Sequence, residues 1–219
     1  MNFEQGLQLI EKMLKESTND NTYSWGRKQN NLFDEKTNFI YKINSYSALL
    51  EKCKTEKLDS SMREYAKNRW LNFKSAKAVE AMFSQHKSVR KEENERHQYI
   101  DFYINGINFD HKTSQFPKGF SHDLNYAKEH KEEIIEWLYK NQSRERRMHF
   151  ENRIFVILFD TKCNQHWKLK SNLIELYSKI TDYLDNFNKD NLVVFDQGLL
   201  RNGIPNNKII YSDVIWYIS

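Results

Sequence analysis

Apolar residues recur at helical spacing over residues 3–16, where Phe3, Leu7, Ile10 and Leu14 share one stripe. The turn-rich segment 17–31, STNDNTYSWGRKQNN, predicts a loop, and a second helix is expected from about Ser45. The longest periodic run follows Leu58. Met62, Ala66, Trp70, Phe73, Ala76, Val79 and Phe83 form one apolar stripe, with Asp59 or Ser60 as the N-cap. Glu80 sits on the flank of that stripe. A short strand is expected around Val89, and then two alternating runs flank Asn105-Gly106.

Downstream, the segment 121–142 reads as a helix capped by Ser121 or Asp123, with Leu124, Ala127, Ile134, Ile135 and Leu138 as its apolar face. Arg153 to Asp160, RIFVILFD, is a continuous apolar run of strand length, the pattern of a strand buried on both faces. Residues 167–187 carry Leu169, Leu173, Leu176, Ile180 and Leu184 at helical spacing, and NLVVFD and KIIYSDVIWYI read as closing strands. The order helix, strands, helix, strand, helix, strand, strand predicts an α/β fold, a mixed central sheet flanked by helices. Residues 59–219 form its core, and 1–58 a helical N-terminal extension of the same domain.

The Asn-Gly pair between alternating runs is a strong hairpin signal. A two-residue turn pairs Ile104 with Ile107, Tyr103 with Asn108, Phe102 with Phe109 and Asp101 with Asp110. Ile100, Phe102, Ile104, Ile107 and Phe109, with His111 at the end, make a core face. Tyr99, Asp101, Tyr103, Asn108, Asp110 and Lys112 take the other face. Like charges directly opposite on a sheet are destabilising, and a shared cation removes that cost. Mg²⁺ suits such a pair: it takes one or two carboxylates, keeps several waters and gathers phosphate oxygens. A metal-bound water beside Lys112 is a minimal kit for phosphodiester hydrolysis.

Composition narrows the setting without naming a function. In 219 residues, 34 Lys and Arg against 30 Asp and Glu give a net charge of +4, which permits nucleic-acid binding but does not require it. Cys53 and Cys163 are too far apart for a C-x-x-C site, so reduced thiols are expected. The N-terminus lacks a signal-peptide core, and no apolar run approaches ~18 residues, so a cytoplasmic protein without a membrane span is expected. Arg144, Arg146, Arg147 and Arg153 cluster before the apolar strand, and with Lys118 they are the candidate nucleic-acid contacts.

Asp101, the hairpin, and then Asp110-His111-Lys112 resemble the PD-(D/E)xK nuclease superfamily, which has the restriction-endonuclease-like fold. The helix bearing Glu80 before them, and the helix and buried strand after them, fit the same order. The resemblance implies an Mg²⁺-dependent nuclease, endonuclease or exonuclease, with Mn²⁺ able to substitute, acting on DNA in restriction, phage defence, repair or recombination. It implies Asp101, Asp110 and Glu80 as metal ligands, the His111 carbonyl as a further ligand and Lys112 as the catalytic lysine. Gln115 or Gln142 matches the polar residue that often follows. Cutting both strands of a duplex makes a homodimer plausible. Ile100 stands where the motif's proline would be, and His111 where an apolar residue is usual. Two other readings stay open: a non-catalytic nucleic-acid-binding or assembly protein on the same fold, and a metal-independent RNA-cleaving toxin using His111 or His149.

Overall fold

A computed structural model of the chain describes residues 2–94, 97, 99–141, 151–196 and 209–219. They divide into two compact units: residues 1–79 with 167–176, and residues 80–166 with 177–219. The division falls inside a helix, after Val79.

The first unit is helical. α1 (Phe3–Thr18) is held at its start by a capping box in which Asn2 accepts from the Gln5 backbone and Gln5 from that of Asn2. α2 (Asn31–Lys36) is capped by Asn30, and α3 (Tyr46–Thr55) by Ser45. α4 (Ser60–Phe83) starts where the Asp59 carboxylate accepts from the Met62 backbone. Leu7, Leu14, Ile40, Leu49, Met62, Ala66, Trp70 and Leu71 are buried here. Trp25 and Trp167 stack, with centroids 5.4 Å apart, and the buried Lys170 places its ammonium 5.7 Å from the Trp25 ring.

The second unit is built on a mixed six-stranded sheet flanked by helices. Its strands are β1 (Val89–Lys91), β2 (Phe102–Ile104), β3 (Ile107–Gln115), β4 (Arg153–Phe159), β5 (Val193–Asp196) and β6 (Ile209–Ile218), in the order β1-β2-β3-β4-β6-β5. β1, β2 and β3 form an antiparallel meander, and β3, β4 and β6 are parallel. Two helices, α5 (Leu124–Glu129) and α6 (Lys131–Asn141), connect β3 to β4. The expected single helix over 121–142 is therefore two, broken at His130, where the backbone leaves helical angles. Asp123 is the cap. α7 (Leu173–Asp185) precedes β5, and the turns before it are of the tighter 3-10 kind.

β4 has Ile154, Phe155, Val156, Ile157 and Leu158 buried without interruption, as its composition demands. One core lies between the sheet and α5–α6, where Ile134, Ile135, Leu138 and Tyr139 meet Phe155, Ile157, Ile210 and Val214. On the opposite face, Phe83 at the end of α4 stacks on Phe102 with centroids 4.4 Å apart.

The hairpin register is as the Asn-Gly turn predicts: Phe102 pairs with Phe109, Tyr103 with Asn108 and Ile104 with Ile107. Asn105 and Gly106 both have positive φ, 48° and 85°, which a tight primed turn requires. β3 then changes partners. Ile107 to Phe109 ladder with β2, and Asp110 to Gln115 ladder with β4, so the two ladders share no residue of β3. Three side-chain or backbone stitches tie this hand-over. The Asp110 N–H donates to the Asn152 carbonyl, the Asn152 amide donates to the Asn108 carbonyl, and the Asn152 side-chain oxygen accepts from the Tyr211 N–H. Among the described residues, no helix is long and apolar enough to cross a membrane.

Candidate functional site

The hand-over is where the sequence-predicted residues fall. Beyond Phe102↔Phe109 the two strands separate, and the expected face-to-face pair of Asp101 and Asp110 does not form. The Asp101 N–H donates to the Phe109 carbonyl, while that of Asp110 turns to β4. The Asp101 carboxylate takes the place of the missing ladder acceptor. Its Oδ2 accepts from the His111 backbone N–H at 2.8 Å and lies 2.7 Å from the His111 ring Nδ1. Burial alone would raise this carboxyl. The bonds and charge from His111, with the charge of Lys112, outweigh burial and hold it well below the usual carboxylate range.

His111 is buried, its ring 6.0 Å from the rings of Phe83 and Phe102. Side chains alternate along a strand, so Asp110 and Lys112 project from the other face, towards α6. There Asp110 is gripped by Arg153, its partner across the parallel ladder: Nε and Nη2 both donate to Oδ2, at 2.7 and 2.6 Å. The Arg153 guanidinium also lies 5.4 Å from the Tyr139 ring of α6. Asp110 Oδ1 meets the Lys112 ammonium at 3.4 Å. The two cations differ in setting: the Lys112 side chain is 52% exposed and that of Arg153 12%.

Glu80 lies elsewhere. Its carboxylate pairs with Lys91 at 3.7 Å, and Lys91 stands opposite Phe102 in the β1–β2 ladder, on the face that α4 covers. Glu80 is thus on the Phe83 side of the sheet, and Asp110 and Lys112 are on the Tyr139 side. Among the described residues, no three His, Cys, Asp or Glu side chains gather as a metal-binding group. The oxygens are hard enough for Mg²⁺, but each carboxylate already faces a partner: Asp101 the His111 ring, Asp110 the Arg153 fork and Glu80 the Lys91 ammonium. As placed, these residues do not fit a shared three-carboxylate centre.

Of the expected nucleic-acid contacts, Arg153 spends its guanidinium on Asp110, and Lys118 is exposed in the turn after β3. Arg144, Arg146 and Arg147 lie outside the described residues, as do Gln142 and His149. Gln115 ends β3. Cys53 is buried and Cys163 exposed, and both are free thiols.

A pair that the sequence reading did not single out lies on the same face. The Arg90 guanidinium of β1 stacks over the Tyr103 ring of β2 at 3.9 Å, and the Tyr103 hydroxyl donates to Glu92 at 2.8 Å. The available signal was the hairpin register, which turns Tyr103 outward; a strand at Val89 then brings Arg90 opposite it.

No family model matches this chain, and comparison with curated proteins and with solved structures gives no match.

Proposed function

We propose that the chain hydrolyses phosphodiester bonds in nucleic acid, DNA foremost, on a restriction-endonuclease-like core. The order of the second unit supports this reading: the end of α4, an antiparallel three-strand meander, a helical crossover, and a strand parallel to the third. The observation that carries it is the Asp110–Lys112 pair. Both side chains leave one face of β3 where that strand passes from its antiparallel to its parallel partner, with the Lys112 ammonium half exposed and 3.4 Å from the carboxylate.

In this reading Lys112 meets a non-bridging phosphate oxygen and stabilises the negative charge that builds in the transition state. Asp110 Oδ1 accepts a hydrogen bond from the attacking water, orients it and takes up its proton. Arg153 holds Oδ2 through two nitrogens that converge on it, and so sets the direction of Oδ1. Asp101 is a positioning residue that holds His111, and with it the backbone between Asp110 and Lys112.

The test is incubation of plasmid and linear DNA with the protein in Mg²⁺, in Mn²⁺ and in EDTA. Cleavage that stops in EDTA brings a divalent cation into the reaction, and cleavage that survives removes it. Loss of cleavage in Lys112→Ala with an unchanged fold supports the assignment, and wild-type cleavage by that variant overturns it.

The capture of both hairpin carboxylates by internal cationic or imidazole partners favours a second reading, a nucleic-acid-binding protein on the same fold that does not cleave. Calorimetric titration with Mg²⁺ separates the two. Binding heat that disappears in Asp110→Asn supports the metal-assisted form, and DNA binding without cleavage or metal uptake supports the second reading.

A further inference from the structure

The Arg90–Tyr103 contact, at 3.9 Å, is shorter than those of Arg153 with Tyr139 and Phe155 on the same face of the sheet. Arg90, Tyr103 and Asn108 form one row across β1, β2 and β3. Asp110 is the next residue on that face of β3. Strands lie about 4.8 Å apart and two residues rise about 7 Å, which puts the Tyr103 backbone roughly 8 Å from that of Asp110. The ring is fixed from its far end by the hydroxyl bond to Glu92, whose carboxylate also accepts from the Asn94 backbone. The guanidinium lies over the ring, its carbon 3.9 Å from the ring centroid. Arg90 is exposed on the edge strand and Tyr103 is half-buried.

We propose that the Arg90–Tyr103 stack is a platform for one unpaired base of a single-stranded nucleic acid whose backbone runs across the same face to the phosphate held at Lys112. A guanidinium lying on an aromatic ring has one planar face left to offer, and bases stack on such planes whatever their identity. The charge distribution argues for a base there and not a phosphate. The Glu92 carboxylate, bonded to the Tyr103 hydroxyl, lowers the net charge at the stack, whereas Lys112, on the same face, is half exposed. A duplex keeps its bases paired and stacked internally, so the platform selects single strands, frayed ends or flaps. The inference takes from the proposed function only the position of the phosphate.

The experiment is fluorescence anisotropy in EDTA with a single-stranded oligonucleotide, the same strand with single abasic sites, and its duplex. The proteins are wild type, Arg90→Ala and Arg90→Lys. Expected is an about ten-fold loss of single-strand affinity in both variants, the scale of one stacked base. Duplex affinity should change less than about two-fold, and one abasic position should erase the difference between wild type and Arg90→Ala. Full retention in Arg90→Lys, or equal loss on single strand and duplex, would make Arg90 a backbone contact and overturn the proposal. So would absence of oligonucleotide binding by wild type. Arg90-dependent binding with no cleavage in Mg²⁺ overturns the nuclease reading and leaves the platform standing. Cleavage with no Arg90 dependence does the reverse.

Discussion

Asp101 Oδ2 stands within 2.8 Å of the His111 backbone nitrogen and 2.7 Å of its ring Nδ1, so one carboxylate oxygen closes a two-point clasp on the residue between Asp110 and Lys112. A clasp of this kind has a structural cost when it is removed, whether or not it serves a reaction. In Asp101→Ala the His111 N–H and ring lose their common acceptor. We expect a loss of about 1–3 kcal/mol in stability, read from urea unfolding. A double-mutant cycle with His111→Phe should show coupling of more than about 0.5 kcal/mol. Additive effects would mean that the two residues act separately.

Asp110 has two cationic neighbours of unequal burial, and they should differ in what they do. Arg153→Ala leaves a buried carboxylate without its fork and is expected to cost about 3–5 kcal/mol. Lys112→Ala breaks a half-exposed pair and should cost less than about 1 kcal/mol. On activity the order reverses for the assigned role: loss of Lys112 should lower the cleavage rate by about 10²–10³-fold with the fold intact. Thermal unfolding and plasmid cleavage on the same preparations check both halves.

The hairpin turn gives a prediction free of packing. A Cβ added to Gly106 meets nothing within 4 Å, but its φ of 85° strains any L side chain. Gly106→Ala should therefore cost about 1–2 kcal/mol through the backbone alone, measured by urea denaturation. Asn105→Gly, which relaxes the neighbouring positive φ, should cost far less.

Lys170 gives a pH dependence with an unusual sign. Burial pushes its ammonium down to about 8, against 10.5 in the unfolded chain. Its folded form disfavours the charge, so the penalty is full below about pH 8 and fades as pH rises towards 10.5. Lys170→Met keeps the aliphatic stem and removes the charge. Its gain at neutral pH is at most about 3 kcal/mol by the size of the shift, less what the Trp25 contact contributes. The difference between variant and wild-type urea midpoints should hold from pH 7 to about 8 and then shrink steadily to pH 10. A constant difference would overturn the assignment.

The hairpin register, the buried strand from Ile154 to Leu158 and the cap at Asp123 were legible because each is encoded within a few residues: a primed turn, an apolar run, a side chain one turn from the backbone N–H that donates to it. The partners of the carboxylates were not. Asp110 meets Arg153 only because β3 and β4 run parallel in one register, and no local pattern specifies parallel pairing. Asp101 reaches His111 because the ladder stops one pair short of where extrapolated alternation would carry it. Glu80 was read from a helix stripe, which gives its flank but not the strand it faces. The helix break at His130 was hidden because Leu124, Ala127, Ile134 and Ile135 keep a plausible stripe across it.

The change of partners along β3 has a mechanical meaning. A strand bonded first on one side and then on the other joins two ladders through its own backbone, here at the Phe109–Asp110 peptide, whose carbonyl accepts from the Asp101 N–H and whose N–H donates to the Asn152 carbonyl. Two side chains brace that join, Asp101 on one flank and Asn152 on the other. The placement of the Tyr103 row against that of Lys112 is therefore set by two residues, Asp101 and Asn152, that belong to neither row.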